Sequence, residues 1–146
     1  MNNRKYELLQ DQTIEWRGRT LYRIRALRDF GAVHAGDVGG YIECERNLSQ
    51  DGDAWACGNA WVYGNAWVCG NAKVYGNAKV YGNAWVSGDA QVCGDTEVYG
   101  DAQVYDDAKV YGNARVYGDA QVYGNAWVCD NALVCGDACV YGNTDG

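Results

Sequence analysis

Side chains able to do chemistry are few in this chain. The single histidine, His34, lies between Val33 and Ala35, and none follows it. Histidine is the usual general base near neutral pH, so the long C-terminal part has no obvious proton acceptor. The seven cysteines, Cys44, Cys57, Cys69, Cys93, Cys129, Cys135 and Cys139, are odd in number and form no CxxC pair. That speaks against a zinc site and against a designed disulfide framework, and it points to reduced thiols in a cytosol. Asp101, Asp119 and Asp137 recur every 18 residues. Stacked carboxylates would repel by about 1 kcal/mol each in water, and calcium could relieve this. Hydrated acids are the commoner outcome, so no metal and no cofactor is expected. Arg17, Arg19, Arg23, Arg25 and Arg28 form the basic concentration. Arg19, Arg23 and Arg25 alternate onto one strand face, where they could meet a phosphate or acidic partner or pair with Glu15, Glu43 and Glu45.

These groups must be positioned by a repeat. The stretch VYGNAKVYGNA, Val74 to Ala84, returns on itself after six residues, and the register holds from Ala56 to the end. Each unit is Val, Tyr or Cys, Gly, Asn or Asp, Ala, and one variable residue. Gly-Asn and Gly-Asp are turn pairs because both residues tolerate left-handed backbone angles. Between turns lies a four-residue extended piece such as Ala78-Lys79-Val80-Tyr81, whose side chains alternate. Ala and Val then share an inner face, and the variable residue and Tyr share the outer one. Each buried Val contributes on the order of 1.5–3 kcal/mol relative to exposure.

A hexapeptide period is a β-helix signature. With an aliphatic first place and a small fifth place, the array resembles the hexapeptide-repeat left-handed parallel β-helix proteins. The resemblance implies an all-β triangular solenoid of left hand, with 18 residues per coil. Residues 54–146 would form about five coils, rising roughly 4.8 Å each. Residues 1–53 would form an N-terminal cap and a first irregular coil. Thr13–Trp16 and Leu21–Arg25 flank an Arg-Gly-Arg turn and read as a β-hairpin. Ile42 and Leu48 are in register with each other, and Ala56 follows after a two-residue bulge. The segment LYRIRALRDFGAVHAGDVGGYIECERNLSQDGDAW, Leu21 to Trp55, is similar to the N-terminal part of bacterial and phage hexapeptide-repeat proteins of uncharacterised activity, which carry an ALxDFxxVxxGDxGGxIExExNLS pattern. That likeness implies a mobile-element setting in the cytoplasm of a bacterial host cell.

Three outer columns follow from the 18-residue coil. Trp61, Lys79, Glu97, Arg115 and Leu133 run beside Tyr63, Tyr81, Tyr99, Tyr117 and Cys135, and the alternating charges read as a cross-strand ladder. Tyr and Trp are interface residue types, so Trp55, Trp61, Trp67, Trp85, Tyr63, Tyr81, Tyr99 and Tyr117 are the candidate partner-binding residues. Stacked Tyr rings could equally serve only to stabilise neighbouring rungs. The last coil presents Trp127, Cys129, Leu133, Cys135, Cys139 and Tyr141 outward, followed by Gly142–Gly146 with no element left for a cap. An open sheet edge templates pairing, which predicts a two-fold homodimer joined at the C-terminal coils.

Charge and composition narrow the function. Residues 1–53 hold 8 Lys/Arg against 9 Asp/Glu, and residues 54–146 hold 4 against 10. The acidic array disfavours nucleic acid. No run is long and apolar enough for a bilayer, and the start, MNNRKYELLQDQ, lacks the apolar core of a secretory leader. Many left-handed β-helix proteins are trimeric acyltransferases that use a histidine base and protruding loops, and the array has neither. Thr96 and Thr144 are its only threonines, too few for an ice-binding face. The reading that remains is a non-catalytic rod that binds a protein through aromatic columns, with inhibition of a host defence complex as its expected role and a self-assembling structural scaffold as one alternative. An acyltransferase-like hexapeptide-repeat enzyme is the other.

Overall fold

A computed structural model describes residues 4–141 of the chain. Two long strands open it, β1 (Tyr6–Trp16) and β2 (Arg19–Ala26), paired antiparallel around Arg17 (φ 50°) and Gly18 (φ 78°). Positive φ at both turn residues matches the right-handed twist of the hairpin. Strand β3 (Val38–Ile42) pairs antiparallel with β2 and then parallel with β5 (Trp61–Val62). Through β3 the hairpin is welded to the side of the solenoid.

Beyond it the chain forms stacked parallel coils, each with three short strands. The hairpin sheet continues through β8 (Lys79–Val80), β11 (Glu97–Val98), β14 (Arg115–Val116) and β17 (Leu133–Val134). A second sheet holds β4 (Trp55–Ala56), β7 (Lys73–Val74), β10 (Gln91–Val92), β13 (Lys109–Val110) and β16 (Trp127–Val128). A third holds β6 (Trp67–Val68), β9 (Trp85–Val86), β12 (Gln103–Val104), β15 (Gln121–Tyr123) and β18 (Cys139–Tyr141). The fold is thus the expected all-β parallel solenoid, with register partners such as Lys79↔Glu97↔Arg115 one 18-residue coil apart.

Ala and Val fill the interior. Every Val at the first place from Val62 to Val122 is fully buried, as is nearly every Ala at the fifth. Ile42 pairs with Val62, Leu48 bridges to Val68, and Ala56 pairs with Val74, so the three head the three columns. The two extra residues between Leu48 and Ala56 are the expected bulge. Thr96 takes an Ala place and is wholly buried, with its hydroxyl unpaired. An orphaned buried hydroxyl is costly, so Thr96→Val, which keeps the shape and removes the polar atom, is expected to stabilise the protein by about 1 kcal/mol. Urea denaturation of the two proteins checks this, and a loss of stability would refute it.

The segment before the array is a clamp. The Asn47 side chain is buried and accepts hydrogen bonds from the Glu43 and Cys44 amides (3.1 and 3.0 Å). It donates to the Gly64 and Ala66 carbonyls (3.2 and 2.9 Å). Glu43 accepts from the Gly64 amide at 2.9 Å and pairs with Arg19 at 2.8 Å. Lys5 is also fully buried, and its ammonium donates to the Ala54 carbonyl at 2.7 Å. Burial pushes Lys5 down to about 8; Arg28 adds to the shift, and the Asp53 and Asp51 carboxylates oppose it. The Tyr6 hydroxyl donates to the Leu48 carbonyl, and burial raises its pKa well above the usual tyrosine value. The open N-terminal end of the first coil is thereby plugged by Lys5 and Tyr6.

The proposed uncapped tail, Gly142–Gly146, lies outside the described residues. Among the described residues, no helix is long and apolar enough to cross a membrane.

Candidate interaction surface

The outer faces are built by the same alternation that fills the core. One residue of each strand pair points in, and the variable residue and the following Tyr or Cys point out. On the hairpin-bearing face the tyrosines form a continuous stack. Tyr63, Tyr81, Tyr99 and Tyr117 have ring centroids 4.9–5.0 Å apart and planes within 3–4° of parallel. Trp61 meets Tyr63 edge-on at 6.3 Å, and Trp16 of the hairpin covers Trp61 at 5.4 Å. The ring faces of this column are therefore spent on one another, leaving edges and hydroxyls at the surface. A second stack, Tyr105, Tyr123 and Tyr141, has the same form.

The hydroxyls also serve the ladder. Tyr75 and Tyr105 donate to the side-chain oxygens of Gln91 and Gln121 at 3.2 Å, and Tyr81 donates to Glu97 at 2.9 Å. Glu97 sits in register between Lys79 and Arg115, yet neither forms an ion pair with it among the described residues. Its carboxylate takes the Tyr81 hydroxyl, and Lys79 lies over the Trp61 ring at 5.0 Å. The alternating charge ladder is thus replaced by hydroxyl–carboxylate and cation–ring contacts. Burial and the Glu97 contact raise the Tyr81 pKa. The neighbouring Cys93 thiol, aided by burial, pushes Tyr75 up to about 12. Burial likewise raises the Cys57 and Cys69 thiols. These outer positions are neutral at physiological pH, and the two thiols have little thiolate character.

The tryptophans divide into three environments. Trp55 was expected to point outward as a partner anchor, but it is only 5% exposed. Phe30 and Tyr6 of the cap pack against it edge-on at 5.2 and 6.3 Å, because the hairpin folds across the first coil there. Trp61 is half-buried under Trp16. Trp67 and Trp85 remain open, at 39% and 46% exposure. They meet edge-to-face with centroids 5.5 Å apart and planes at 89°, and with Arg46 and Asn65 they line a groove of about 390 Å³. Arg46, one residue before Asn47, donates to the Asn65 side-chain oxygen at 3.2 Å. No periodicity singles it out, since its place depends on the short 3₁₀ helix Glu45–Asn47 beside β6.

The arginine patch is largely satisfied. Arg19 pairs with Glu43, Arg25 pairs with Glu7, and Arg23 donates to the Gly39 carbonyl and the Tyr41 hydroxyl, each at 3.0 Å. His34 is exposed on the loop before β3, where its backbone amide donates to Asp37. At the corners, Asn83 donates to Asp101 at 3.0 Å. Among the described residues no cluster of three or more metal-ligating side chains occurs. At the far end, Trp127, Leu133 and Tyr141 are 65%, 61% and 58% exposed. Cys135 and Cys139 are exposed and Cys129 is half-buried.

Comparison with protein families finds similarity to the YdcK beta-solenoid repeat, over residues 72–88, 78–94, 102–118, 108–124 and 120–136. These windows fall wholly within the coils and support a repeat β-helix family. No curated protein matches the chain.

Proposed function

We propose that this chain is a rigid, non-catalytic solenoid, wound with a left hand, that holds a protein partner on the Trp67–Trp85 corner. The observation that carries this reading is the exposure of that ring pair beside Arg46, in a groove next to the mutually stacked tyrosines. Large aromatic and arginine side chains supply most interface energy. The Tyr column, its faces mutually stacked, stiffens the platform and contributes ring edges at the rim. The similarity of Leu21–Trp55 to bacterial and phage proteins supports a mobile-element setting in a bacterial cytoplasm, where the partner is a host defence complex. The exposed position of His34, away from any cleft named above, supports a role without catalysis.

Capture from a bacterial lysate tests the reading, comparing the parent with a Trp67→Ala/Trp85→Ala variant of matched stability. A partner retained by the parent and lost by the variant is expected. Identical captures, or acetyl-CoA binding seen by calorimetry, would overturn it.

The exposed Trp127, Leu133 and Tyr141 on β16, β17 and β18, the last strands of the three described sheets, support a second feature, a two-fold homodimer through this end. Light scattering at micromolar concentration is expected to give twice the chain mass for the parent and the single-chain mass for Trp127→Arg/Leu133→Arg. A monomeric parent would refute the dimer.

A further inference from the structure

The Trp67–Trp85 groove has a chemical bias that specifies its occupant further. Its polar groups are hydrogen-bond donors. Each indole offers one N–H and no acceptor, and a guanidinium offers five N–H donors and no acceptor. The remaining polar lining residue, Asn65, has both ends engaged. Its oxygen accepts from Arg46 at 3.2 Å, and its amide nitrogen donates to Asn83 at 3.2 Å. The backbone there is closed as well. The Asn65, Trp67 and Cys69 amides donate to Gly82, Ala84 and Val86 at 2.8–3.0 Å. A lateral face of a coil offers no free edge, so an incoming peptide cannot add as a strand.

A ligand for this groove must therefore bring acceptors without donors and apolar surface for two ring faces set at a right angle. It must also keep a backbone that needs no pairing. We infer that the occupant is a proline-rich segment of the partner in polyproline II conformation. Proline has a carbonyl but no N–H. Its extended helix has three residues per turn, no internal hydrogen bonds and solvated carbonyls, and it docks on aromatic-lined grooves with little ordering cost. One pyrrolidine ring seats in the corner between the Trp67 and Trp85 rings. Arg46 and an indole N–H donate to carbonyls on either side of it. An amphipathic helix fits less well, because the same column continues upward as Gln103 and Gln121, which supply no apolar stripe.

This inference rests on the reading of the Trp67–Trp85 corner as the partner site, and its test is separable from that reading. The ¹⁵N-labelled full chain is titrated with a capped hexaproline peptide while the indole N–H resonances of its six tryptophans are followed. Trp67→Phe and Trp85→Phe identify the two signals concerned. Saturable shifts confined to those two are expected, with apparent affinity weakened about tenfold or more by Trp85→Ala and several-fold by Arg46→Gln. A capped Gly-Ser peptide of equal length is expected to move neither signal.

Unmoved indoles at millimolar hexaproline would overturn the proposal. So would equal shifts from the Gly-Ser peptide, or saturation by a phosphopeptide in place of hexaproline. If the indoles stay unmoved while the Trp67→Ala/Trp85→Ala variant still loses a lysate partner, the corner is a protein site of another kind, and only the proline assignment falls.

Discussion

Replacing Asn47 with alanine is expected to destabilise the N-terminal coil by about 4 kcal/mol, the largest single-residue effect anticipated outside the valine core. The Asn47 amide is the partner of three backbone groups, the Cys44 amide and the Gly64 and Ala66 carbonyls, and it shares the Glu43 amide with the Val62 carbonyl. It does so with no exposure to solvent. Each buried backbone group left without a partner costs about 1–3 kcal/mol, and water can reach some of them once the side chain is gone. The reading that distinguishes this clamp from general loosening is local. Hydrogen exchange of the Cys44 amide is expected to accelerate about a thousandfold, while amides near Val104 and Val110 hold their protection. Asn47→Asp keeps the two acceptor contacts but loses both donated bonds and buries a charge, so it too is expected to be strongly destabilising. An alanine variant within about 1 kcal/mol of the parent would show that the coil does not depend on this residue.

Gly39→Ala is expected to cost about 3 kcal/mol for a steric reason. A Cβ on Gly39 would collide with the Ala56 carbonyl oxygen and stand 2.7 Å from Trp55 Cζ2 and 2.9 Å from Ile24 Cγ1. A Cβ on the adjacent Gly40 would come 2.6 Å from the Ala60 carbonyl oxygen. These contacts involve backbone, which cannot swing aside, so overpacking strain of this order follows. The same step pushes on Trp55, which Tyr6 and Phe30 hold beneath the cap. Chemical denaturation should therefore show the lower stability together with a shift in tryptophan emission as Trp55 becomes wetted. Parent-like stability and emission in Gly39→Ala would mean that β3 does not lie against the first coil.

Both predictions concern residues of the GGxIExExNLS motif, and in the structure that motif acts as a joint. Gly39 and Gly40 let β3 pass close to the coil. Ile42 and Leu48 enter the core. Glu43 and Asn47 tie the Gly64 corner to the chain that precedes it. These contacts join the cap to the solenoid.

The amino-acid sequence by itself determined the coil and its inside. A six-residue period with Val and Ala at alternating inward places admits one sorting of faces, because in extended backbone every second side chain shares a side. The heads of the three columns, Ile42, Leu48 and Ala56, were legible for the same reason. Tertiary structure alone decided which outward residues are available. Trp55 and Trp67 occupy equivalent places in the repeat, but the hairpin buries the first and leaves the second open. Glu97 was placed in a charge ladder by spacing, yet the Tyr81 hydroxyl of the coil below reaches it first. Arg46 acquires its place at the groove only because Asn47 anchors the short 3₁₀ helix against β6. Local periodicity fixes which way a side chain points. Whether anything covers it depends on contacts between segments tens of residues apart, and no repeat unit encodes those.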